Sequence, residues 1–460
     1  MFTGCQMTAP NAFTQGSIPR VFLRAALPII FLTSINGLLT VADAVMLGAF
    51  VGPDALTAVT LTFPATMLLA ALATMVSSGM ASTIARLLGG GRVAEARRHF
   101  AGAHGLALLV CLAAMLLFAL AGEALLLATA GGSLVLAELG HAFLGVAVAT
   151  SPLLFLLSLH SDALRAEGRI GFMAAAGLLV SLSNLAFNAL LILGFGLGVA
   201  GSAWGTALAQ ALALAVIVAY RARGKATLGL ARADIADWRH GWGETLSLGA
   251  PRSLSFIGIA LGAASTIFAL RLFGGADRES TIAAYGVITR MMTFAYLPLL
   301  GMSLALQAVV GNNYGAGLWV RSNAALKLAL VVALAYCAVV ETVLMLFRAH
   351  LGALFVADPA VIAEVARILP IYALFYFTLG PMMIIAGYYQ SIGDARRSAL
   401  LSLARTYVFA VPLTFILPGF VGETGIWLAL PLADLLLVAV TAATLRSQSG
   451  RLAWGLFRLA

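Results

Sequence analysis

Long apolar stretches punctuated by short polar clusters recur from Val21 to Leu445. Each is about as long as the roughly 20 residues that a helix needs to cross a bilayer. Hydropathy, read with charge clusters and Gly/Pro punctuation, predicts twelve helices. The first six lie near 21–50, 55–87, 100–121, 134–160, 170–195 and 199–220. The second six lie near 246–273, 281–311, 323–347, 364–390, 398–418 and 424–445. Strands of a membrane β-barrel would alternate apolar and polar residues over about ten positions, whereas these runs are continuous. The pattern predicts an all-α polytopic membrane protein. Its longest polar stretch, Arg221 to Glu244, falls at mid-chain and predicts a cytoplasmic linker (221–245). The linker would join an N-terminal lobe (1–220, helices 1–6) to a C-terminal lobe (246–460, helices 7–12).

Composition excludes a soluble enzyme. The 460 residues are 62% hydrophobic and 10% charged, with a mean hydropathy of +1.02, against about 25% charged in a typical soluble domain. A net charge of +9 raises nucleic acid as a partner, but its distribution argues against that. With the N-terminus inside, most of the 27 Lys and Arg fall in inner segments, among them Arg20, Arg24, Arg86, Arg92, Arg97, Arg98, Arg221 and Arg223. Only Arg271, Arg278, Arg348 and Arg367 fall near outer loops. This positive-inside bias places both termini in the cytoplasm of a multi-pass protein of the inner (plasma) membrane. Cys5, Cys111 and Cys337 have no paired spacing, which argues against disulfides and cysteine–metal sites. Residues 1–19 lack the apolar region of a cleavable signal peptide, and Met7 is an alternative start.

An internal repeat supports the mid-chain division. Pro28 and Pro251 are 223 residues apart, Gly79 and Gly301 222, Gly89 and Gly311 222, and Trp204 and Trp427 223. Six helices per copy give both copies the same orientation, with an axis along the membrane normal and a cavity between them, an arrangement found in transporters. Pro28, Pro64, Pro152, Pro298, Pro381, Pro412 and Pro431 fall inside predicted helices. Each deletes a backbone hydrogen bond, and simple kinking for packing accounts for most of them.

Most acids lie at loops or helix ends, but Asp43, Glu341 and Asp434 do not. Asp43 interrupts an apolar run in the outer half of helix 1, where an acid costs at least about 2.5–3.5 kcal/mol. Such a group faces the bundle interior and either titrates, binds a cation or pairs with a base. Asp434 has Arg405 or Arg290 as a possible neutralising partner, and Glu341 reads as a solvated or paired residue. Asn184 and Asn188 are four apart on one face of helix 5, and Thr206 follows on helix 6. With Asp43 they form an oxygen-rich set suited to a proton relay or a monovalent cation, although Asn and Thr also serve as structural links between membrane helices. No Walker A sequence, zinc spacing or hydrolytic carboxylate pair is present. Transport would therefore run on an ion gradient or be passive, without a cofactor. Phe63, Met67, Met75, Met291, Met292, Phe294, Tyr296 and Met302 could line a cavity for greasy aromatic molecules, and packing explains them equally well.

The chain resembles the multidrug and toxic compound extrusion (MATE) transporters over essentially its full length. The resemblance is carried by Ala26-Leu27-Pro28, Asp43-Ala44-Val45-Met46-Leu47-Gly48, Gly249-Ala250-Pro251 and Gly311-Asn312-Asn313-Tyr314-Gly315-Ala316. Gly387-Tyr388-Tyr389-Gln390-Ser391-Ile392-Gly393-Asp394 resembles the DinF-like branch. The resemblance implies two six-helix lobes facing a central cleft. It also implies an antiporter that acts as a monomer and exports amphipathic, often cationic small molecules for H⁺ or Na⁺. Asp43 would match the helix 1 carboxylate and Pro28 the point where helix 1 bends as that acid changes state. Asn184 and Thr206 would match the remaining polar positions of the ion site. Asn188 stands where Na⁺-binding relatives often carry a second Asp, and helices 7 and 10 lack the acids of other branches. This leaves Asp43 as the coupling residue, with H⁺ favoured over Na⁺. A lipid-linked oligosaccharide flippase of the same superfamily is the alternative, and it would need cationic cavity residues such as Arg290. A non-transporting membrane receptor or scaffold would have no need of a buried titratable acid.

Overall fold

The computed structural model describes residues 11–229, 237–275 and 278–446. Cys5, Met7 and the middle of the predicted linker lie outside them. The described residues are almost wholly helical. Ten helices are long and apolar enough to cross a membrane, and twelve spans result if each of two bent pairs counts as one.

In chain order the spans are α1 (Ile18–Phe50), α2 (Pro53–Gly89), α3 (Val93–Thr129), α4 (Leu134–Ala149 with Ser151–Ala166), α5 (Ile170–Ala189, extended by a π turn to Gly194) and α6 (Gly198–Ala222). The second set is α7 (Trp242–Phe273), α8 (Arg278–Gly315), α9 (Trp319–Leu346), α10 (Pro359–Tyr372 with Tyr376–Ile392), α11 (Ala395–Val421) and α12 (Thr424–Arg446). The predicted helices correspond one to one, and several run past their predicted ends. The apolar window sets the membrane-embedded length, while the backbone stays helical into the interface.

Two spans predicted as single helices are broken. The pieces of α4 meet at 46° and those of α10 at 53°. At the first break Pro152 stands at the start of the second piece, where its missing N–H is tolerated but cannot continue the preceding helix. At the second, Phe375 adopts φ 68°, which ends one helical piece before Tyr376 begins the next. Pro28, Pro64, Pro298, Pro381 and Pro431 lie inside continuous helices. Pro412 opens a short piece after the π segment Ala404–Ala410 of α11.

Packing divides the chain into two compact units, one containing residues up to Ser253 with Gly311–Leu318, the other Leu254–Val310 and Trp319 onward. The first has a core of Val76, Met80, Ile84, Phe100, Phe155 and Leu159. The core of the second is built on Leu270, Ile288, Leu369 and Trp427.

Within the first unit, the start of α7 touches α2 backbone to backbone. A Cβ on Gly79 would lie 2.0 Å from the Thr245 carbonyl oxygen, and one on Gly249 1.8 Å from that of Met75. Polar contacts hold the same segment: Glu244 accepts from Arg86 at 2.6 Å, and the Trp242 indole donates to the Gly102 carbonyl at 2.8 Å. The Asn-Asn pair of the 311–316 segment is structural here. Asn312 donates to the Ala166 carbonyl at 3.1 Å and Asn313 to that of Phe13 at 3.0 Å, with both side chains fully buried.

Candidate functional site

The C-terminal part of α1 packs against α5, and α5 against α6. Asp43 comes from the first, Asn184 and Asn188 from the second and Thr206 from the third, so four of the sequence-derived site residues meet in one unit. The Asn188 amide N–H₂ donates to Asp43 Oδ1 at 3.1 Å and approaches Asn184 Oδ1 at 3.4 Å. Asn184 donates in turn to Thr206 Oγ1 at 2.9 Å, and the Thr206 hydroxyl to the Ser202 carbonyl at 3.1 Å. The four side chains therefore form a continuous hydrogen-bonded chain that ends on the carboxylate.

Asn188 is the buried member of the set, at 1% exposure. Its Oδ1 has no hydrogen-bond partner and lies over Gly205, where a Cβ would sit 2.0 Å from it. With its amide so oriented, Asn188 offers Asp43 a donor and not an oxygen ligand. A cation at Asp43 would have to turn that amide round, whereas a proton can occupy the carboxylate without doing so. Among the described residues none places a cationic group within 4 Å of Asp43, because the ion pairs involve other acids.

Gly205→Ala is expected to displace the Asn188 side chain and disconnect Asp43 from the chain of amides. Forcing a methyl into a filled site typically costs about 1–3 kcal/mol. The expected result is a lower thermal midpoint together with loss of any proton or Na⁺ dependence, read by a melting assay at several pH values.

The seam between α1 and α5 is longer than the sequence reading proposed. Ser181 donates to Asn36 Oδ1 at 2.6 Å, and Leu32 lies against Gly177, where a Cβ would fall 2.6 Å from it. Neither Asn36 nor Ser181 belongs to the ion-coupling set that the sequence suggests. The signal was present, since Asn36, Thr40 and Asp43 recur at i, i+4 and i+7, and Ser181, Asn184 and Asn188 at i, i+3 and i+7.

The other two internal acids are engaged. Asp434, at 4% exposure, takes Arg405 in a two-point contact, Nε to Oδ1 at 2.5 Å and Nη2 to Oδ2 at 3.1 Å. Arg290, the other base considered for this role, is exposed. Glu341 accepts from the backbone N–H groups of Phe375 and Phe377. Of the proposed cavity-lining residues, Phe63, Met67 and Phe294 are well exposed, and Met75, Met292 and Tyr296 are half-buried. Met291 and Met302 are buried, and Met291 belongs to the core of its unit.

The MatE family model matches the chain twice, over residues 28–190 and again over 254–416. A "FAD transporter" of Shewanella oneidensis is 26% identical over 421 residues, covering 88% of this chain and 90% of the relative. "Multidrug export protein MepA" of Staphylococcus saprophyticus is 23% identical over 407 residues, covering 87% and 88%. The fold also matches a solved structure, the outward-facing conformation of a multidrug resistance MATE family transporter of the MOP superfamily. That match has a TM-score of 0.89 and 22% identity, and covers 97% of this chain and all of that one. The duplicated match, which takes in α1 to α5 and then α7 to α11, places the chain in the MatE family of multi-pass membrane transporters.

Proposed function

We propose that this transporter is an efflux antiporter of the inner (plasma) membrane with both termini cytoplasmic. It exports amphipathic, often cationic small molecules in exchange for protons taken up at Asp43. The observation that carries this reading is a carboxylate inside a membrane helix whose hydrogen-bond partner is the neutral amide of Asn188 and not a base. A static pair needs no titration, but a membrane carboxylate held only by neutral donors changes charge readily between aqueous and closed surroundings. With Asp43 ionised the protein takes substrate. Protonation leaves Asp43 a neutral acid whose remaining carbonyl oxygen accepts more weakly from the Asn188 amide, α1 bends at Pro28, and substrate leaves.

Relatives called multidrug export proteins support the broad substrate class. The FAD transporter, similar over nearly the whole chain, makes an anionic dinucleotide the second candidate cargo. A pyrophosphate-carrying lipid would have to rely on Arg290, which is exposed, because Arg405 is already committed to Asp434.

Proteoliposomes loaded with a fluorescent cationic dye, or with FAD, test the reading under an imposed pH or Na⁺ gradient. Dye movement driven by pH alone is expected. Movement driven by Na⁺ alone would transfer the coupling to a cation held by Asp43, Asn184, Asn188 and Thr206. Pro28→Ala restores a backbone hydrogen bond to α1, and a proline inside a helix costs about 3 kcal/mol. The variant is expected to be more thermostable and to exchange substrate several-fold more slowly, read by initial rates in the same vesicles.

A further inference from the structure

Where α10 is interrupted, Phe375 is the one non-glycine residue with positive φ among the described residues. A break in a helix leaves the first N–H groups of the second piece without intrahelical partners, and hydrocarbon supplies none. Glu341 of α9 takes two of them. Its Oε1 accepts from the Phe375 N–H at 3.2 Å and its Oε2 from the Phe377 N–H at 2.8 Å. Beside the carboxylate lies a cavity of about 390 Å³ lined by Ala338, Glu341, Thr342, Met345, Leu346 and Phe377.

The surrounding groups leave the carboxylate without a counter-charge. Tyr336 and Cys337 are on its own helix, Tyr376 on α10 and Tyr296 on α8. Arg405 and Asp434 bind each other, and Arg367 on the first piece of α10 binds both Glu364 and Glu423. Among the described residues no Arg, Lys or His lies within 4 Å of Glu341. Among the described residues the α4 break of the first unit is built differently: α3 carries no acid between Glu95 and Glu123, and the Thr150 hydroxyl at the break donates to the Val146 carbonyl.

We propose that Glu341 is a proton-binding site of the second unit, separate from Asp43, whose ionised carboxylate holds α10 broken at Phe375 and whose protonation releases the break. An ionised carboxylate accepts with both oxygens and is favoured at the N-terminus of the second helical piece. A proton arriving through the cavity converts one oxygen into an O–H donor, so one of the two N–H groups loses its acceptor. Phe375 then has no reason to stay in a conformation that only glycine adopts freely, and α10 changes shape.

Spin labels at the exposed positions Ala360 on α10 and Leu346 on α9, in a cysteine-free background, read this directly. The inter-label distance is expected to pass between two values on acidification. Glu341→Gln should show the low-pH distance throughout, and Glu341→Asp, which keeps both accepting oxygens, should keep the transition. Phe375→Gly removes a left-handed penalty of about 1–2 kcal/mol and should lower the midpoint by about one pH unit. A wild-type distance unchanged by pH, or a Glu341→Gln variant with the wild-type transition, overturns the proposal. Asp43→Asn should leave the α10 transition intact while transport is lost. Failure of the Asp43 reading therefore appears as retained transport in that variant, and failure of the Glu341 proposal as an α10 insensitive to pH.

Discussion

Asp43→Asn is expected to abolish pH-driven accumulation of substrate while leaving the helices packed. One proton exchanged per substrate across a gradient of one pH unit supports a concentration ratio of about ten, since 1.36 kcal/mol is a factor of ten. In the variant that ratio should fall to about one. The amide of an asparagine is nearly isosteric with the carboxylate and still offers an oxygen to the Asn188 donor now 3.1 Å away, so the α1–α5 seam should persist. Removing an unpaired acid that costs about 2.5–3.5 kcal/mol in a membrane helix should, if anything, raise the thermal midpoint. Steady-state dye ratios in vesicles and melting in detergent check the two halves of the expectation. A variant that still concentrates substrate tenfold removes Asp43 from the coupling mechanism.

The other large effect belongs to a group with no proposed part in transport. Arg405→Met should destabilise the second unit by about 3–5 kcal/mol, because it strands Asp434 as a buried charge without its partner. The pair is close and two-pointed, and Asp434 lies among buried neighbours of α12 such as Ala433 and Leu437. Replacing both residues, as Arg405→Met with Asp434→Leu, should recover most of that loss, since a buried ion pair and a well-packed apolar pair of similar volume are often equivalent. The four-variant cycle measured by unfolding midpoints gives the coupling between the two side chains. An Arg405→Met protein as stable as the parent would mean that water reaches Asp434. Transport in the double variant should be close to normal, which separates this pair from Asp43 by experiment.

Membrane thickness acts on each window of about twenty residues independently of the rest of the chain, and the charge bias acts on the short loops between windows. The twelve spans, their all-helical character and the duplicated halves could therefore be read from the chain alone. The helical period is equally local. It put Asn184 and Asn188 on one face, and it could have added Asn36 and Ser181 to the same seam. Pro152 likewise held a local signal for the break in α4, because a proline that opens a helical piece cannot extend the one before it.

No local rule selects partners on different helices. Asp43 meets Asn188 across 145 positions of sequence, and the orientation of that amide, donor toward the acid and oxygen over Gly205, depends on how closely α5 and α6 approach. Asp434 had two candidate bases on paper, and packing chose Arg405 over Arg290. The reciprocal contacts of Gly79 and Gly249, like the reach of Glu341 to the interrupted backbone of α10, rest on the same kind of long-range placement. Hydropathy and helical period establish which residues share a membrane span and a helix face. Which faces then touch is decided by the packing of whole helices, where a missing Cβ or a single unpaired N–H weighs as much as any charge.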